Sequence, residues 1–214
     1  MVKSSFSHVR AWVFDLDNTL YPPDVALFGQ IEILMTNYVA EALKIDHAEA
    51  NSLRDHYWKN YGTTLAGLMA EHDIDPDPFL IAVHDIDFSV LPPAPELADM
   101  IRALPGRKIV YTNGTAPYAQ NVLAVRALDG VFDAVYGVEH AGYLPKPEQM
   151  AFETVFALDN LSPKHGAMFE DDIRNLVAPH AMGMRTVLVT PKPEYNNHIH
   201  HHTSDLTAFL SQLV

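Results

Sequence analysis

Short apolar runs that stop abruptly at polar residues, with helix-patterned stretches between them, constrain this chain more than any other feature of its 214 residues. Val9 to Phe14 is such a run, and it halts at Asp15. Lys108 to Thr112, Phe132 to Tyr136, Gly166 to Phe169 and Thr186 to Val189 repeat the theme. Continuous rather than alternating apolarity marks strands covered on both faces, as in a parallel sheet. The segments between them, Glu96–Leu104, Pro117–Leu128, Pro147–Leu158 and Ile173–Met182, carry helical patterns, and Leu206–Leu213 closes the chain as another. Strand–helix alternation with short links predicts an α/β fold, a doubly wound parallel sheet covered by helices on both sides.

One interruption breaks the alternation. From about Val25 to Asp87, roughly 60 residues contain no good strand. Leu27, Ile31, Leu34, Tyr38 and Ala42 recur at helical spacing. Asp46 with Glu49 resembles a capping box opening a second helix through Trp58, and Thr63 to Glu71 reads as a third. Asp73 to Pro78 reads as a turn. The expected organisation is a core of residues 1–21 and 88–214 with an all-helical cap of 22–87. Phe28, Tyr38, Tyr57, Trp58 and Tyr61 of the cap are expected in its packing, with one of them free to stack on a base.

Composition narrows the chemistry. The chain has no cysteine, which removes thiol catalysis, thiolate metal sites and disulfides. Its net charge of −13 repels nucleic-acid backbone and anionic lipid. No apolar run is long enough to span a bilayer, and the first ten residues lack a signal core, so a cytoplasmic setting is expected. The run His198 to His202 reads as a solvated loop rather than a metal site.

In open parallel sheets, functional groups collect beyond the carboxyl ends of the strands. Those ends deliver Asp15, Asp17 and Thr19; Thr112, Asn113 and Gly114; a loop with Lys146; and Glu170, Asp171 and Asp172. So many carboxylates brought together repel, and a hard divalent cation with oxygen ligands, Mg²⁺, relieves the repulsion. Such a site suits phosphoryl transfer. Asp15 can attack phosphorus, Asp17 can move the proton of the leaving oxygen, and Thr112 and Lys146 can hold phosphate.

The string Phe14-Asp15-Leu16-Asp17-Asn18-Thr19-Leu20 resembles the first motif of the haloacid-dehalogenase-like phosphatase superfamily. Thr112-Asn113 is similar to its second motif, Lys146-Pro147 to its third, and Glu170-Asp171-Asp172 with Asn175 to its acidic fourth. The insert resembles the helical cap placed after the first motif. With Tyr21 and Pro22 added, the first string is similar to the pyrimidine 5′-nucleotidase branch. The resemblance implies a core related to the dinucleotide-binding fold and an Mg²⁺-dependent phosphomonoester hydrolase acting through an aspartyl-phosphate. Asp15 would be nucleophile and metal ligand, and Asp17 the acid/base with its backbone carbonyl on the metal. Thr112, Asn113 and Lys146 would bind phosphate, and Asp171 would ligate Mg²⁺ directly. Glu170, Asp172 and Asn175 would lie around the metal, although the family often carries Ser where Asp172 stands. The substrate class implied is a small nucleoside 5′-monophosphate. The alternatives are a phosphosugar phosphatase or mutase, a dehalogenase acting on carbon, and a non-catalytic sensor of a phosphate ligand. The dehalogenases of the superfamily lack an acid at the position of Asp17.

Overall fold

A computed structural model describes residues 2–214. The core is a six-stranded, all-parallel sheet in the order β3-β2-β1-β4-β5-β6. Its strands are β1 (Ala11–Phe14), β2 (Arg107–Tyr111), β3 (Ala134–Tyr136), β4 (Gly166–Glu170), β5 (Arg185–Val189) and β6 (His201–Thr203). This is the doubly wound α/β arrangement, with the order reversing between β1 and β4. The helices are α1 (Val2–Ser5), α2 (Leu27–Leu43), α3 (His47–Tyr61), α4 (Thr64–His72), α5 (Pro76–Val83), α6 (Pro95–Ala103), α7 (Ala116–Val125), α8 (Gln149–Leu158), α9 (Val177–Ala181) and α10 (Leu206–Leu210).

Side chains of successive strand residues point to opposite faces. Trp12, Phe14 and Phe169 therefore pack with the residues of α6, α7 and α10, while Val13, Met168 and Leu188 pack with those of α8 and α9. Phe14 stacks on Phe169 at 4.7 Å between ring centroids, locking β1 to β4 in the middle of the sheet. Each fully buried side chain of this kind contributes about 1.5–3 kcal/mol.

Helices α2 to α5 form the inserted cap between β1 and β2. Asp46 caps α3 by accepting from Glu49 N at 2.9 Å, and Thr63 caps α4 by accepting from Ala66 N at 3.1 Å. The turn expected over Asp73–Pro78 is corrected: α5 begins there. Asp75 is its cap, accepting from Asp77 N, and Pro76 opens the helix. Prolines in a first turn surrender only N–H groups that have no helical partner, so the two do not prevent a helix.

A second correction concerns His198–His202, which is a loop only over residues 198–200, with His200 exposed. His201–Thr203 pairs with β5 as the edge strand β6. His200 Nδ1 lies 2.8 Å from Thr186 Oγ1, His198 Nε2 lies 3.0 Å from Ile173 O, and His202 Nε2 lies 2.8 Å from Thr190 O. Imidazole rings satisfy the short edge with side-chain hydrogen bonds that a polarity pattern does not reveal. The expected helix over Ile173–Met182 is a 3₁₀ turn, Ile173–Leu176, followed by α9. Among the described residues, no helix is long and apolar enough to cross a membrane.

Candidate active site

The site starts from the register of the two central strands. Phe14 pairs with Phe169, and Asp15 N donates to Phe169 O at 2.9 Å. The ladder thus runs one residue past β1 and sets Asp15 beside Glu170, the last residue of β4. Lys146 enters between them. Its Nζ donates to Asp15 Oδ1 at 2.7 Å, to Glu170 Oε1 at 2.6 Å and to Tyr111 O at 3.1 Å, which uses all three ammonium hydrogens. Asn113 holds the Lys146 backbone from both sides. Its Nδ2 donates to Lys146 O at 3.0 Å, and its Oδ1 accepts from Lys146 N at 2.8 Å. The Lys146–Pro147 peptide bond is cis.

Glu170 accepts two further contacts around this core. Asn175 Nδ2 reaches its Oε1 at 2.7 Å and Asp172 N reaches its Oε2 at 2.8 Å, in addition to Lys146. Asp171 Oδ2 accepts from Asn18 Nδ2 at 3.2 Å. Carboxylate oxygens of Asp15, Glu170 and Asp171 lie within 4.8 Å of one another. At that spacing each like-charged pair repels by at least roughly 3 kcal/mol at an effective dielectric of 20.

Burial first, and then the charge of Glu170, pushes the Asp15 carboxyl above its ordinary range, and Lys146 opposes the shift only in part. Burial and the same neighbour, followed by Asp15, raise Asp171. Burial alone lowers the Lys146 ammonium, but Asp15 and Glu170 override it and hold the group firmly protonated. Three carboxylates against one ammonium leave a deficit of two positive charges. The donor set is all oxygen and matches a hard divalent cation. Asp15 and Asp171 are the carboxylates with capacity to spare, since Glu170 is already occupied by three protein donors.

Asp17 stands at the rim of this cluster. Its Oδ1 accepts from Tyr21 Oη at 2.5 Å and from Tyr118 Oη at 2.6 Å. Burial raises its carboxyl above the usual range, and the two phenol hydrogen bonds pull it back in part. Thr112 is buried, and its Oγ1 accepts from Gly114 N at 2.9 Å, which leaves the hydroxyl hydrogen available to an acceptor. Asp172 is not drawn into the carboxylate cluster. It pairs with Arg174 at 2.6 Å and caps the 3₁₀ turn that follows.

A cavity of about 400 Å³ lies between cap and core. Asp17, Asn113, Lys146 and Asn175 line it from the core side, and Phe28, Arg54, Trp58 and His84 from the cap. Trp58 departs from the packing role expected of the cap aromatics. It is half exposed, and the Arg174 guanidinium lies 3.6 Å from its ring centroid. Tyr57, its neighbour, is fully buried as expected.

The structure therefore brings together Asp15, Lys146, Glu170, Asp171 and Asn175, with Asp17, Thr112 and Asn113 adjoining. Sequence reasoning missed Tyr118, Asn18, Arg174 and His84. Tyr21 lay inside the quoted string, four residues after Asp17, but carried no assigned role. Tyr118 gave no signal beyond its helix pattern.

Residues 9–183 match the model of the haloacid dehalogenase-like hydrolase family. The chain is 25% identical over 197 residues to phosphate metabolism protein 8 of Saccharomyces cerevisiae, covering 84% of this chain and 61% of that protein. It thus spans about three fifths of the length of this relative. Among solved structures, it resembles a HAD phosphatase from Thermococcus onnurineus, with a TM-score of 0.63, 16% identity, and coverage of 96% of this chain and 98% of that one. It also resembles YfnB of Bacillus subtilis bound to magnesium, with a TM-score of 0.62, 16% identity, and coverage of 96% and 98%. The L-2-haloacid dehalogenase from Xanthobacter autotrophicus superposes with a TM-score of 0.54 at 16% identity, covering 87% of this chain and 79% of that one.

Proposed function

This chain belongs to the haloacid dehalogenase-like hydrolases, and we propose that within them it is a phosphomonoesterase working through an aspartyl-phosphate on Asp15. The observation that carries the reading is Asp17, a carboxyl group two residues beyond the nucleophile and facing the cavity. Displacing halide from carbon needs no proton for the leaving group, whereas releasing an alcohol from phosphate does. A buried acid placed there is of use to an ester and of none to a haloacid.

Lys146 fixes Oδ1 of Asp15 and leaves Oδ2 as the attacking oxygen. Asp15 forms a bond to phosphorus while Asp17 gives its proton to the departing ester oxygen. Asp17 then takes a proton from the water that cleaves the acyl-phosphate, and both carboxyl groups return to their starting states. Thr112 donates its hydroxyl hydrogen to a phosphate oxygen. Asn113 keeps Lys146 in place through the backbone. Mg²⁺, held by Asp15, Asp171 and the backbone carbonyl of Asp17, would neutralise the acidic cluster and the phosphate oxygens. Glu170, Asp172 and Asn175 support that arrangement from outside it.

The division into a core of 1–21 and 88–214 for the chemistry and a cap of 22–87 for substrate choice belongs to this reading, as does a cytoplasmic setting. The substrate class we favour is a nucleoside 5′-monophosphate, pyrimidine before purine. The support is the string from Asp15 to Pro22 and a cavity of about 400 Å³, room enough for a nucleoside. Phosphate release from nucleotides, sugar phosphates and simple esters, measured with Mg²⁺ and with a chelator, tests the reading. The expected result is Mg²⁺-dependent release, fastest with nucleotides. Halide release from 2-haloacids with no release of phosphate overturns it, and an isomerised phosphosugar without free phosphate replaces it with a mutase.

A further inference from the structure

We propose that Tyr21 and Tyr118 are positioning residues that place the proton of Asp17 on its substrate-facing oxygen; this rests on the phosphomonoesterase reading above. Both phenol hydroxyls converge on one atom, Oδ1, at 2.5 and 2.6 Å. Among the described residues, none donates to Oδ2. A carboxyl oxygen has two lone pairs, and the two hydroxyls take both of them on Oδ1. A proton on the group therefore has one place left, Oδ2, on a residue that lines the cavity.

The pair is built into the fold rather than resting on its surface. Tyr21 is 1% exposed and Tyr118 2%. Tyr118 sits in the first turn of α7, where Thr115 caps the helix by accepting from Tyr118 N at 3.2 Å. Its ring stacks on His84 of the cap at 4.2 Å with an interplanar angle of 8°. Gly114 leaves the space the ring occupies, since a Cβ at that position falls 2.7 Å from Tyr118 Cδ1. Cap and core thus both hold the ring whose hydroxyl aims Asp17.

The consequence is chemical. As Asp15 bonds to phosphorus, the bond to the ester oxygen breaks and its electron pair stays on that oxygen. The oxygen takes the proton from Oδ2, and the new negative charge of Asp17 is held on Oδ1 by two O–H donors. Without the tyrosines, the proton is free to sit on either oxygen and the carboxyl group is free to turn.

The test is the dependence on the leaving group. Tyr21→Phe, Tyr118→Phe and the double variant keep both rings and remove only the hydroxyls. For the double variant, kcat/KM on an alkyl phosphate falls about 10- to 100-fold, and on 4-nitrophenyl phosphate less than about threefold, because nitrophenolate departs without a proton. Each single variant shows the same split in weaker form, so the test survives a double variant that fails to fold. In the Asp17→Asn background, the tyrosine changes cost nothing further. Equal losses on both esters overturn the proposal alone. Wild-type protein that releases phosphate from no ester overturns the phosphomonoesterase reading and this proposal with it.

Discussion

At the residue scale, Lys146 is the pivot. Its ammonium is fully buried, touches two carboxylates and carries the only positive charge within the acidic cluster among the described residues. Removing one partner from a buried charged set leaves the others uncompensated. Lys146→Met is expected to lower unfolding stability by about 3–5 kcal/mol, read by denaturant titration. Asp15→Asn acts in the opposite sense, because it takes one negative charge out of a crowded site. Its phosphate release is expected to fall at least about a thousandfold, while its metal-free melting temperature stays level or rises. Asp15 was legible in the sequence because it is ionisable and follows an apolar run, and Lys146 because it stands in the loop beyond β3, just before Pro147 and a helical pattern. Tyr118 was not, since a tyrosine in a helix carries no mark of where its hydroxyl ends. Asn113 was legible as a site residue, yet its side chain spends its hydrogen bonds on the Lys146 backbone, a pairing that only the fold brings about.

At the scale of elements, the cap depends on a close approach between α3 and α4. Gly67 lies against the ring of Tyr57, and a Cβ there collides with ring carbons rather than a flexible chain end. Gly67→Ala is expected to destabilise the protein by about 1–3 kcal/mol, seen as a lower melting temperature. Gly106 serves the core in a similar way: its φ is +85°, and a Cβ would meet the backbone of Arg10 at the entry to β2. The strands of the core were legible because runs of buried apolar residues are unambiguous in a parallel sheet. The element α5 was hidden by its two prolines, whose effect depends on whether they fall in a first turn or an interior. The edge strand β6 was hidden because the rings of its histidines are hydrogen-bonded within the protein, His202 to Thr190 O and His201 to Ser5 Oγ, so polarity there did not mean solvent.

At the scale of the whole molecule, the acidic cluster links stability to pH and to divalent cations. Asp15 and Asp171 have raised folded-state values, so the folded protein binds more protons than the unfolded chain once pH passes about 4. Stability therefore falls as pH rises from there through neutrality, the reverse of the behaviour of a salt-bridged carboxylate. Lys146 does not offset this, because it stays charged across that range. In chelator, the melting temperature is expected to drop as pH rises from 5 to about 8. Added Mg²⁺ is expected to restore it, by more at the upper end, because cation binding favours the deprotonated folded state. Scanning calorimetry over pH with and without Mg²⁺ measures both, and a flat profile removes the assigned repulsion.

The stack of Arg174 on Trp58 also equips the molecule with an optical reporter. The chain has two tryptophans: Trp12 is sealed in the core with its indole N–H on Pro105 O, while Trp58 lies half open on the cap with a cation from the core over its face. A guanidinium that close alters indole emission, so the colour and intensity of native fluorescence track whether the two lobes are clasped. Stopped-flow mixing with phosphate esters can therefore time that clasp with no dye attached, against Arg174→Ala as the silent control.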